Sequence, residues 1–120
     1  MDTDVLQEIG FSKSMIDVYV ALLELGPASL DSLSSKAGLP NSVVTRSLKS
    51  LMDRGLITFL KAGRDKQYQA VDPKHLLDYI DNKRRQIEDL IPELELKQQS
   101  TKERKEVETF LGKRAISLPF

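Results

Sequence analysis

Residues 27–71, PASLDSLSSKAGLPNSVVTRSLKSLMDRGLITFLKAGRDKQYQAV, change periodicity part way along, and that change decides the fold. Leu30, Leu33 and Ala37 recur at helical spacing behind Ser29, a residue whose hydroxyl suits an N-cap. Gly38 ends that short helix, because a residue without a Cβ tolerates a left-handed turn, and Leu39-Pro40 fills the connection. Asn41 is the expected next N-cap. Val44, Leu48 and Leu51 then step by four and three, which places them on one inward stripe of a helix ending near Arg54-Gly55. Beyond Gly55 the pattern becomes that of strands: Leu56 to Leu60 is β-branched and aromatic, and Gln67 to Val71 alternates as its return partner. Lys61 to Lys66 is the loop between them. Helix, tight turn, helix and hairpin in this order are the layout of a winged helix-turn-helix.

Upstream, Val5, Leu6 and Ile9 form a short apolar ridge closed by Gly10, which predicts a first helix of two turns. Ser12 is a good N-cap for a core helix from Lys13 to Leu25, whose apolar residues are Met15, Ile16, Val18, Tyr19, Ala21, Leu22, Leu23 and Leu25. Gly26-Pro27 stops it. Downstream, Asp72 caps a last helix with Pro73 at its first position, where a missing N–H costs nothing. Leu76, Ile80, Lys83, Ile87, Leu90 and Leu94 step alternately by four and three, a heptad seam that wants a second helix. Pro92 interrupts the pattern with either a kink or a break, and a kink is the preferred reading. From Val107 to Ile116 the helical period is lost, which predicts a tail or a remnant strand. The expected architecture is mainly α with a small β-hairpin: a winged helix-turn-helix over residues 1–72, a dimerisation helix over 73–106, and a tail over 107–120.

Charge sharpens this reading. The 120 residues sum to zero, yet residues 36–66 hold seven cations against two acids, for a net of +5. Residues 1–35 hold one lysine against six acids, and residues 67–120 hold ten of each sign. A basic reading helix and a basic wing of the same sign point to a shared polyanionic partner, double-stranded DNA. On the helix, Asn41, Ser42, Val43, Thr45, Arg46 and Lys49 are the candidate contacts, with Ser50 also on the exposed side. Arg46 and Lys49 suit guanine edges, Asn41 and Ser42 suit bases or phosphate, and Val43 and Thr45 suit thymine methyls. Arg64 and Lys66 in the wing suit phosphate or the minor groove, with Lys36 and Lys61 in support.

Other classes fall away on composition. No apolar run approaches the length that would span a bilayer, and Asp2 and Asp4 open the chain where a secretory signal would be basic, so the expected compartment is the cytoplasm. The absence of cysteine excludes disulfides and thiolate metal sites. The single His75 excludes a histidine-rich centre. With no phosphate loop, metal signature or nucleophile motif, neither an enzyme nor a cofactor is expected.

The pieces Gly10-Phe11-Ser12, Val18 to Leu23, Leu25-Gly26-Pro27-Ala28, Gly38-Leu39-Pro40, Leu48 to Leu51, Arg54 to Ile57 and Tyr68 to Val71 together resemble the N-terminal domain of the TrmB family of archaeal transcriptional regulators. The resemblance covers about residues 5–95. It implies a winged helix that dimerises through a following coiled coil, and in larger members a C-terminal sugar-binding domain. Where that family often has a basic residue after the turn proline and a tyrosine four residues later, this chain has Asn41 and Thr45, so the operator does not carry over. Glu106 to Gly112 looks like the opening strand of the sugar-binding domain, and with the sequence ending at Phe120 no small-molecule effector pocket is expected. The expected function is sequence-specific transcriptional regulation by a homodimer. The alternatives are a winged-helix module that docks an acidic protein, and non-specific architectural coating of DNA.

Overall fold

The computed structural model describes residues 1–109. Five helices and one hairpin follow one another: α1 (Asp4–Glu8), α2 (Lys13–Leu25), α3 (Leu30–Ala37), α4 (Asn41–Asp53), β1 (Ile57–Ala62), β2 (Asp65–Ala70) and α5 (His75–Thr109). The described residues are thus mostly helical, with a two-stranded antiparallel sheet, as the periodicities predict. They divide into two units after Ile80.

In the first unit, α2 has the predicted bounds because both of its ends are set locally. Ser12 Oγ accepts from Met15 N at 3.2 Å, and Gly26, at φ 77°, closes the far end. Ser29 Oγ likewise accepts from Ser32 N at the start of α3, and Gly38 takes the left-handed conformation at φ 69°. Val18, Leu22, Leu33, Val44, Leu48, Leu51 and Leu56 are fully enclosed, so the inward stripes of α2, α3 and α4 meet in one core. Leu23 and Leu25, which share the apolar pattern of α2, instead remain exposed. The Tyr19 hydroxyl is buried with no hydrogen-bond partner among the described residues. Burial, aided by the Asp72 carboxylate, raises its pKa above the usual phenol value.

Four expectations need correction. Pro40, not Asn41, is the N-cap of α4: its backbone is extended (φ −64°, ψ 152°), while Asn41 is already helical and its amide is drawn elsewhere. The strands run further than predicted, because Lys61 pairs with Lys66 and Ala62 with Asp65, which leaves a two-residue turn at Gly63-Arg64. Gly63 at φ 66° with no positive φ at Arg64 is the pattern of a type II′ turn, whose twist suits a hairpin. The last helix begins at His75: Asp72 Oδ1 accepts from Lys74 N at 2.9 Å in a turn that precedes it. Finally, α5 continues through Pro92 without a break and past Glu106 to Thr109, so Val107 to Thr109 are helical. The predicted tail or strand over 110–120 lies outside the described residues.

The hairpin is rooted in the domain. Ala28, between α2 and α3, forms a bridge with Tyr68: Ala28 N donates to Tyr68 O at 3.0 Å and Tyr68 N to Ala28 O at 2.7 Å. Ile57 is buried at the base, and its face continues outward through the pair Phe59 and Tyr68 to the pair Lys61 and Lys66. One side of the wing thereby passes from apolar to cationic along its length.

In the second unit, residues 81–100 of α5 are exposed throughout. Arg84 pairs with Glu88 one turn on at 3.6 Å, and Lys83 Nζ donates to Gln86 Oε1 at 3.3 Å. Ile87, Leu90 and Leu94 are each about half exposed.

Candidate nucleic-acid interface

The helix α4 follows the α3 turn, and the core stripe of Val44, Leu48 and Leu51 fixes its rotation. That rotation leaves Asn41, Ser42, Thr45, Arg46 and Lys49 exposed, while Val43 and Ser50 are half-buried at the flank and Ser47 is buried. The helix macrodipole adds partial positive charge at the Asn41 end.

Asn41 Nδ2 donates to Asp31 Oδ1 at 3.3 Å, so the first side chain of α4 is held by the first turn of α3. Asp31 also lines, with Ser29, Arg64 and Lys66, an open cleft of about 670 Å³ between α3 and the wing. Asp65 lines the same cleft, so two cations and two carboxylates share it, and Asn41 reaches its edge through Asp31. Asp31 was absent from the sequence-based site, because an acid in a helix's first turn is ordinarily read as a dipole partner.

The cations differ in what surrounds them. Arg46, Lys49, Lys61 and Arg64 have no carboxylate within ion-pair distance among the described residues. Lys66 Nζ lies 5.2 Å from the centre of the Phe59 ring, a cation–π contact that leaves the ammonium at the surface. Lys61 and Lys66 stand directly opposite each other, a like-charge pairing that destabilises an isolated hairpin. Lys36 is different: its ammonium lies 3.8 Å from Glu24 on α2, which offsets the charge counted for it.

Arg54, part of the same basic count, is committed to the fold. Its guanidinium lies 5.8 Å from the Phe11 ring centre and 5.9 Å from that of Tyr79. Nε donates to Tyr79 Oη at 3.2 Å and Nη1 to Ser50 O at 3.0 Å. Charge counting reads sign but not surroundings, so this role was hidden in the sequence.

Of the heptad residues, Leu76 is half-buried against its own domain's core, together with Tyr79. Ile80, Lys83, Ile87, Leu90 and Leu94 are exposed. No cluster of potential metal ligands occurs among the described residues, and none of their helices is long and apolar enough to cross a membrane.

The pattern of the family described as the sugar-specific transcriptional regulator TrmB matches residues 6–74. The sugar-sensing transcriptional regulator TrmBL1 of Pyrococcus furiosus is 30% identical over 90 residues, which cover 75% of this chain and 24% of that protein. This chain spans about a quarter of the length of the curated relatives it matches. Among solved structures, TrmBL2, an archaeal chromatin protein described as showing a novel mode of DNA binding, superposes with a TM-score of 0.68 at 24% identity, covering 95% of this chain and 43% of that one. A possible transcriptional regulator from Methanosarcina mazei superposes with a TM-score of 0.59 at 21% identity, covering 72% and 78% of the two chains. These likenesses establish the winged-helix fold.

Proposed function

Since this chain belongs to the TrmB family of transcriptional regulators, we propose that it binds double-stranded DNA sequence-specifically, as a homodimer, in the cytoplasm. Residues 1–72 form the reading domain, with α4 in the major groove and the wing along the flanking backbone; residues 73–106 pair the two protomers. Asn41, Ser42, Val43, Thr45, Arg46 and Lys49 face the groove, and Lys61, Arg64 and Lys66 face phosphate. Lys36 is a weaker contributor because of Glu24.

The observation that carries this reading is the wing's pairing of Lys61 with Lys66 behind Arg64, with no acid paired to Lys61 or Arg64 among the described residues. Three cations against the single Asp65 at a hairpin tip cost the free protein stability, and a polyanion offsets that cost. Each phosphate neutralised lowers the slope of log K against log salt by about 0.9. Dimerisation is supported by the exposed Ile80, Ile87, Leu90 and Leu94, since a row of apolar side chains on a long polar helix is a liability in a monomer. With two α4 helices in successive major grooves, half-sites lie about 34–36 Å apart.

Reversing Arg46 and Arg64 to Glu tests the proposal in an anisotropy titration against a duplex selected from a random library. Loss of binding supports it. Unchanged binding, or a parent protein that ignores duplex, refutes the DNA reading in favour of a protein-docking module. Equal affinity for selected and random duplex refutes sequence specificity and leaves architectural coating.

A further inference from the structure

A second cleft, of about 350 Å³, lies between the N-terminus of α2 and the flank of α4, and its lining includes Ser12, Ser14, Ser47, Ser50 and Arg46. Arg46 is the only charged residue in that lining, which contains no carboxylate. Four hydroxyls and one guanidinium are donors suited to a phosphate oxygen.

Two features of the cleft offer donors that no protein acceptor takes. The α2 N-terminus brings Ser14 N, a first-turn helical amide with no acceptor among the described residues, to the cleft; the next two amides are taken by Ser12, whose Oγ binds Met15 N and whose carbonyl binds Ile16 N. Independently, Ser47 is only 4% exposed, yet its hydroxyl makes no hydrogen bond among the described residues and lies on the cleft wall. A helix interior ordinarily lets serine bond back to the preceding turn, so a hydroxyl that makes no such bond on the cleft wall is available to a ligand. Val43, Arg46, Ser47 and Ser50 fall at helical spacings of three and four, so one stripe of α4 supplies its whole side of the cleft.

We infer that this cleft is a phosphate-binding site, in which the Ser14 amide, the Ser14 and Ser47 hydroxyls and the Arg46 guanidinium receive one phosphate group. If the occupant is a phosphodiester of bound DNA, which rests on the function proposed above, it clamps the backbone beside α4, on the flank that faces α2. Arg46 then divides its donors between this phosphate and the groove. A free phosphate group presents the same oxygens and fits the same donors.

Backbone amide NMR of the full chain, titrated separately with inorganic phosphate and with duplex, tests this together with Ser14→Asp and Ser47→Ala. Aspartate in the first turn of a helix favours α2, so Ser14→Asp keeps the fold while repelling phosphate. The expected result is that duplex and phosphate both move the Ser14 and Ser47 signals, and that Ser47→Ala reduces the movement at Ser14. Ser14→Asp should weaken duplex binding about tenfold, the scale of a hydrogen bond to a charged group, and lower the salt slope by about 0.9. Movement with inorganic phosphate alone keeps the site and assigns it to a small phosphate; if the parent also ignores duplex, the DNA reading fails and the site stands. If the parent binds duplex with strong salt dependence while these signals stay still and Ser14→Asp binds equally well, the site is refuted and the DNA reading survives.

Discussion

Replacing Arg54 by alanine removes a cation that electrostatic counting assigns to DNA and geometry assigns to the fold. Two ring contacts, at 5.8 and 5.9 Å, contribute about 0.5–1 kcal/mol each. Two hydrogen bonds, to Tyr79 Oη and Ser50 O, add about 0.5–1.5 kcal/mol each. The sum is about 2–5 kcal/mol, and the guanidinium's partial exposure together with non-additivity of contacts that share one group moves the expectation to about 2 kcal/mol. Equilibrium unfolding in urea should therefore show a lower midpoint with an unchanged slope, because the surface exposed on unfolding is nearly the same. Duplex binding, measured well below the unfolding transition, should keep its salt slope. A loss of stability under about 0.5 kcal/mol, the level of an ordinary surface substitution, would refute the structural role. So would a fall of about 0.9 in the salt slope, the signature of a lost phosphate contact.

Leu51 is fully buried beneath α4, and Leu51→Ala should cost about 2–5 kcal/mol in the same unfolding assay through lost burial and a cavity. Tyr19→Phe should be neutral or stabilising at neutral pH, since it removes a buried hydroxyl that has no partner. The raised pKa of Tyr19 means that the unfolded chain loses its phenolic proton first, so the parent's stability is intact below about pH 10 and falls as pH rises through the higher folded value. Thermal unfolding across that range should show a smaller alkaline loss for Tyr19→Phe than for the parent. Leu90→Lys, on the exposed seam of α5, should sediment as a monomer where the parent sediments as a dimer.

What was legible in the sequence was mostly local. Ser12 and Ser29 cap their helices through contacts three residues away, and Val44, Leu48 and Leu51 reveal the inward stripe of α4 by spacing alone. The errors arose where a distant partner intervenes. Asn41 has the chemistry of a cap, but Asp31, ten residues earlier, engages its amide while Pro40 supplies the extended backbone. Residues 61–66 look like a loop because lysine, glycine and aspartate are depleted in strands; the pairing of Ala62 with Asp65 nevertheless extends the ladder around a glycine placed where a II′ turn requires it. Leu76 belongs to the heptad pattern, yet it packs on its own domain, which periodicity cannot distinguish from packing on a partner. The serine-lined cleft combines residues from two helices that are not consecutive in the chain, and polar residues on a helix flank read simply as solvated surface.

The Ala28–Tyr68 bridge separates the hairpin's anchorage from its span. Everything distal to that clasp can be lengthened or shortened by two residues on each strand, each step moving the cationic tip by about 6–7 Å and keeping the faces in phase, without disturbing a single core side chain. The reach of the wing is in this sense an adjustable dimension of the protein, set at the Gly63 end and insulated from the stability of the domain that carries it.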